Sequence, residues 1–134
     1  MKSRLDKLKR IERLQKQLHD LSVWKLSNLA EQRYKLAVAH VEMIQALGEG
    51  LLAFGGAAAA ATRRIRSLEV EMTETNAAHA AQAKQAFAQG ARSKLAEQVV
   101  GRARAEYRRE TEKKSLAELI EQSVQSSVTG SRKP

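Results

Sequence analysis

The chain has no cysteine and one proline, Pro134. Without cysteine there is no disulfide framework, no thiolate metal site and no thiol nucleophile. That usage fits a reducing compartment. Proline breaks a helix interior by removing a donor and clashing with the preceding turn. With Pro134 at the very end, nothing forbids long helices. Aromatic residues are few: Trp24, Tyr34, Phe54, Phe87 and Tyr107 among 134 residues. A round core usually draws on Leu, Ile, Val and Phe. Here much of the apolar content is alanine, which suits a thin seam between helices. No run of about 18 apolar residues occurs, which excludes a membrane-spanning segment. The basic N-terminus leads into Leu5, Leu8 and Ile11 alternating with charges, so no secretory signal is expected. A soluble, cytoplasmic protein is the expectation.

What is present is helical periodicity. Leu5, Leu8, Ile11, Leu14, Leu18 and Leu21 recur every three or four residues, the mark of one helix face. The register shifts near Trp24, and a second seam runs Leu26, Leu29, Arg33, Leu36, His40, Met43, Leu47 at heptad spacing. Arg33 and His40 share a heptad position, and such polar seam residues cost stability while fixing register. Ser3, with Asp6 three residues on, forms a weak capping signal. Beyond Ala57 the pattern resumes with Ile65, Leu68 and Met72. Residues 77–91 then hold eight alanines, with Phe87 the one large apolar group. Leu95, Val99 and Val100 follow, then a charged stretch to Lys114. Leu116, Leu119, Ile120 and Val124 close the pattern.

Four of the seven glycines, Gly48, Gly50, Gly55 and Gly56, fall within nine residues. A phosphate-binding loop would need Lys and Ser or Thr directly after its last glycine. Alanines follow instead, so a chain reversal explains the cluster. Gly48 or Gly50 ends the first helix in a left-handed conformation, Gly55-Gly56 opens the second, and Leu51, Leu52 and Phe54 cap the turn or dock a partner. The expected fold is all-α: an antiparallel two-helix coiled-coil hairpin with unequal arms. Its helices run over about 3–47 and 57–124, roughly 65 Å and 100 Å long, and 125–134 is a flexible tail. Gly90 and Gly101 each cost the second helix about 1 kcal/mol against alanine and mark candidate bends. A break at Gly90 would give three helices, and two chains pairing into a homodimeric coil is the other open arrangement.

The net charge of +9 is uneven. Residues 2–16 carry seven Lys and Arg against Asp6 and Glu12, a net +5. Residues 92–114 carry eight against four glutamates, a net +4. If Leu47 meets Ala57, equal steps outward set Leu5 opposite Val99 and bring both basic blocks to the open end. Such a field attracts acidic partners and speeds encounter. The candidate partner-binding residues are Arg4, Leu5, Lys7, Leu8, Arg10 and Ile11 on the first arm. On the second they are Arg102, Arg104, Arg108, Arg109, Lys113 and Lys114.

No catalytic set emerges. His19, His40 and His79 lie far apart without recurring ligand spacing. Glu69 and Glu71 point to different faces, and Glu106 and Glu110 share a face among arginines. No acid, base and nucleophile can be named together. A non-enzymatic protein with no cofactor, metal or small-molecule substrate is expected.

A basic N-terminal Leu/Ile stripe, a long second helix and its final third, "KLAEQVVGRARAEYRRETEKKSLAELIEQ", together resemble the FliJ family of flagellar export proteins and its YscO-like injectisome counterparts. Members often carry an acidic residue before a small one near the end; "SLAELIEQ", Ser115 to Gln122, is the nearest stretch here. The resemblance implies a cytoplasmic coiled-coil stalk, peripherally associated with the export apparatus. Its paired ends insert into the export ATPase ring, contact the export gate membrane protein and help handle export chaperones. Membrane contact would then be indirect. It would place Leu5, Leu8 and Ile11, with residues 95–120, inside the ring. Two rival readings remain. A basic helical nucleic-acid-binding protein rests on a pI near 10.2 and clustered cations, against the absence of a known binding motif. A membrane-surface helix rests on the amphipathic residues 1–30 with Trp24.

Overall fold

The computed structural model describes residues 2–50 and 56–131. They form two α-helices, α1 (Lys2–Gly48, 47 residues) and α2 (Ala57–Ser131, 75 residues). At 1.5 Å per residue these span about 70 Å and 112 Å. Both are rich in the strongest helix formers, Ala, Leu, Lys, Arg, Gln and Glu, and proline-free. They pack against each other as an antiparallel hairpin with unequal arms and, among the described residues, no strand.

α1 stops where the glycines begin. The Glu49 amide still bonds the Gln45 carbonyl at 2.9 Å, and the Gly50 amide bonds the Leu47 carbonyl at 3.2 Å. Gly50 takes φ of +73°, the left-handed conformation that a β-carbon would disfavour. The Ala60 amide then bonds the Gly56 carbonyl at 3.0 Å, opening α2. The expected apolar cap of Leu51, Leu52 and Phe54, and Gly55 beside it, lie outside the described residues.

α2 runs unbroken through Gly90 and Gly101, as the two-helix expectation has it, and the three-helix alternative falls. Two expectations need correction. α1 begins at Lys2, so Ser3 sits inside its first turn and does not cap it. α2 continues past 124 to Ser131, where a flexible tail was expected. Gln, Ser and Val lose only tenths of a kcal/mol against alanine in a helix, too little to end one already long.

The chain divides into two compact units. The turn unit is Lys16–Ala91, and the terminal unit joins Met1–Gln15 to Arg92–Pro134. In the turn unit, partners descend along α2 as α1 ascends: His19 lies against Gly90, the Gln82 side-chain amide donates to the Ser22 carbonyl (3.1 Å), and His40 Nε2 donates to Glu69 Oε1 (3.2 Å). Ser22 with Gln82 is the pairing that follows from setting Leu47 beside Ala57. Its apolar half is Leu26, Leu29, Leu36, Met43 and Leu47 on α1 against Ala61, Ile65, Leu68 and Met72 on α2, all at least half-buried. Leu68, 1% exposed, is its best-buried large side chain. Full burial of such a residue contributes about 1.5–3 kcal/mol.

The other half of this unit has almost no large apolar side chain inside. His79, Gln82, Ala86 and Gln89 face inward, while Phe87 is 82% exposed. Small residues let the two backbones approach, and His19 fills the space that Gly90 leaves open. Gly90 therefore has a packing reason. Arg33 Nη1 donates to His79 Nδ1 at 3.3 Å, so both polar residues of the Leu26–Leu47 seam, Arg33 and His40, meet partners on α2. Among the described residues, no buried side-chain nitrogen or oxygen lacks a hydrogen bond.

Candidate partner interface

The terminal unit holds both basic blocks except Lys16. By sequence it carries sixteen Lys and Arg against eight Asp and Glu, so +8 of the total +9. The turn unit, with eight against seven, is nearly neutral. Its ion pairs include Lys35–Glu31 (3.2 Å) and Arg64–Glu71 (3.8 Å), both exposed and of small worth to stability.

All twelve sequence-nominated residues fall in the terminal unit, but they do not share one role. Leu5 is buried at 6% exposure, as is Val100 at 2%. Leu5 is thus committed to the hairpin core. Leu8 is half-buried and Ile11 is about half exposed. The nine cations, Arg4, Lys7, Arg10, Arg102, Arg104, Arg108, Arg109, Lys113 and Lys114, are all exposed. Among the described residues none of them forms an ion pair within 4 Å. Their charge is available to a partner.

The expected α1 stripe does not behave as one face. After Leu8 the inward positions are Glu12, Gln15, His19 and Ser22, which join Leu26 and Leu29 without a register shift. Ile11, Leu14, Leu18 and Leu21 stand to the side, 39–52% exposed. A two-helix coil buries one narrow seam per helix. Register follows the large residues nearer the turn, so the stripe one position off is left at the flank. Part of it borders an apolar groove of about 260 Å³ in the terminal unit, lined by Leu8 and Ile11 of α1 and Leu95, Ala96 and Val99 of α2, with Gln15 and Arg92 at its rim. Leu95 and Arg92 stand in the sequence reading only as members of the apolar pattern and the basic block, not among the twelve nominated residues. The signal that marks them is their offset from Val100, the residue that takes the seam.

Beyond Tyr107, α2 has no partner helix. Every residue from Arg108 to Val128 is exposed. The inward spacing would next select Glu110, Lys114, Ala117 and Glu121, which give nothing apolar to bury. Leu116, Leu119 and Ile120 sit instead on another side of the helix, each 57–62% exposed. They are apolar surface left open.

Among the described residues no three His, Asp or Glu side chains gather as metal ligands. No helix among them is long and apolar enough to cross a membrane. Searched against known proteins, the chain matches no family model, no curated protein and no solved structure.

Proposed function

We propose that this chain is a non-enzymatic docking stalk of the FliJ type, a cytoplasmic component of a flagellar or injectisome protein export apparatus. The terminal unit enters the export ATPase ring and also meets the export gate and export chaperones. One observation supports this most: by sequence +8 of the +9 net charge lies in one unit, which also presents nine exposed cations and an open apolar groove. Unpaired cations steer an acidic partner to the surface and raise the encounter rate. The groove then supplies apolar contact, the part of an interface that usually carries affinity. The turn unit, nearly neutral, offers no comparable field.

The test is a pull-down of the export ATPase on immobilised chain. Reversal of Arg4, Lys7 and Arg10 to Glu abolishes capture if the reading holds. Unchanged capture removes the charged surface from the account, and no capture by the wild type removes the function.

A further inference from the structure

One face of α2 in the terminal unit has no occupant, and its pattern describes one. Leu95, Gln98, Arg102, Ala105, Arg109, Glu112, Leu116 and Leu119 follow each other in steps of three and four, so they form one stripe. Its leucines are 59–62% exposed. Gly101, Arg102, Ala105 and Arg109 help line a shallow groove of about 560 Å³ along its middle. A β-carbon added at Gly101 would meet nothing within 4 Å. Gly101 therefore costs helix stability without an internal packing reason, unlike Gly90. What it provides is room for something outside the molecule.

The charges say what fits. Around Tyr107 the helix changes sign: residues 92–109 sum to +4 and residues 110–128 to −2. The change is mirrored at several positions, while Gln98 reflects onto Leu116 and Ala105 onto Arg109. Arg102 and Glu112 lie five positions either side of Tyr107, Arg104 and Glu110 three, and Leu95 and Leu119 twelve. A helix laid antiparallel on this face, centred at Tyr107, would set arginine against glutamate and leucine against leucine if it had the same sequence. A parallel copy would set like charges together.

We infer that this face pairs with a second copy of the chain, as an antiparallel two-fold dimer centred at Tyr107. The interface is isologous, so each favourable pair occurs twice. Leu95 meets Leu119 of the other copy at both ends, Arg102 meets Glu112 inside them, and Gly101 and Ala105 leave room for the long side chains of Lys113 and Arg109 opposite them. The inference does not depend on the export reading.

The absence of cysteine makes the test clean. Leu95→Cys and Leu119→Cys are introduced together in the full chain and treated with a short bis-maleimide. Within one helix the two positions stand about 36 Å apart, so only a bond between copies joins them. The double variant is expected to give a covalent dimer of twice 14.9 kDa, and neither single variant does. Cross-linking of a single variant, or none in the double, overturns the pairing. Sedimentation supplies the second readout: Glu112→Arg weakens self-association by about tenfold, and adding Arg102→Glu to it restores the dimer. A monomer at the highest soluble concentration, or a double reversal no better than the single, contradicts the inference.

Discussion

The imidazole of His19 packs on the backbone of Gly90, where an added β-carbon would stand 3.1 Å from Nε2. Helix propensity alone would favour alanine there by about 1 kcal/mol. The close contact opposes that gain. Gly90→Ala is expected to leave the melting temperature unchanged or lower it. In a His19→Ala background the same change stabilises by about 1 kcal/mol. Thermal melts of the four-member cycle measure the coupling. Equal effects in both backgrounds would show that the contact carries no energy.

Gly101→Ala is the control. Its added methyl meets open space, so the full propensity gain of about 1 kcal/mol is expected in the monomer. Circular dichroism on dilute protein checks this.

Burial separates two large residues that look alike in the sequence. Leu68→Ala removes a side chain 1% exposed and is expected to cost about 2–5 kcal/mol. Phe87→Ala removes one that is 82% exposed and is expected to stay within about 0.5 kcal/mol. Denaturant unfolding of both variants gives the comparison.

The architecture was readable because its causes are local. Absence of internal proline, heptad spacing from Leu26 to Leu47 and four clustered glycines point to two long helices and one reversal. The pairing of Ser22 with Gln82 follows from where that reversal lies. The N-terminal leucines misled for a physical reason. Ile11, Leu14, Leu18 and Leu21 form a valid helical stripe, but a two-helix coil has one seam, and the polar set Glu12, Gln15, His19 and Ser22 takes it. Spacing marks a face as apolar without naming its neighbour. The same limit hid the split between Leu5, spent on the core, and the groove beside Leu8, which depends on Leu95 and Val99 from the other arm. The Arg and Lys sites were visible as charge, and their freedom from ion pairs is a property of the folded chain alone.

Polar seam residues give a further expectation. His40 is half-buried and donates to Glu69, whose carboxylate is largely exposed. His40→Leu restores an apolar seam between Leu36 and Met43 and leaves Glu69 to water, so a gain of about 1 kcal/mol is expected. Chemical denaturation measures it, and a loss of that size would show that the hydrogen bond outweighs burial.

Nucleic acid would answer to the same cations by a different signature. Phosphate contacts release counterions, so affinity falls steeply and linearly on a log-log salt plot. A stalk for an acidic protein surface is expected to show no micromolar binding to random-sequence DNA at physiological salt. Fluorescence anisotropy across a salt series tests this, and tight binding with a steep slope would favour the nucleic-acid reading.

The most direct measurement compares charge reversals in the two units for binding to the export ATPase by calorimetry. One variant carries Arg4, Lys7 and Arg10 as Glu; the other carries Arg63, Arg64 and Arg66 as Glu, three exposed cations of the turn unit. The account predicts that the first loses binding and the second retains it. Equal loss in both, or full binding by the first, would contradict a docking end built on the terminal unit.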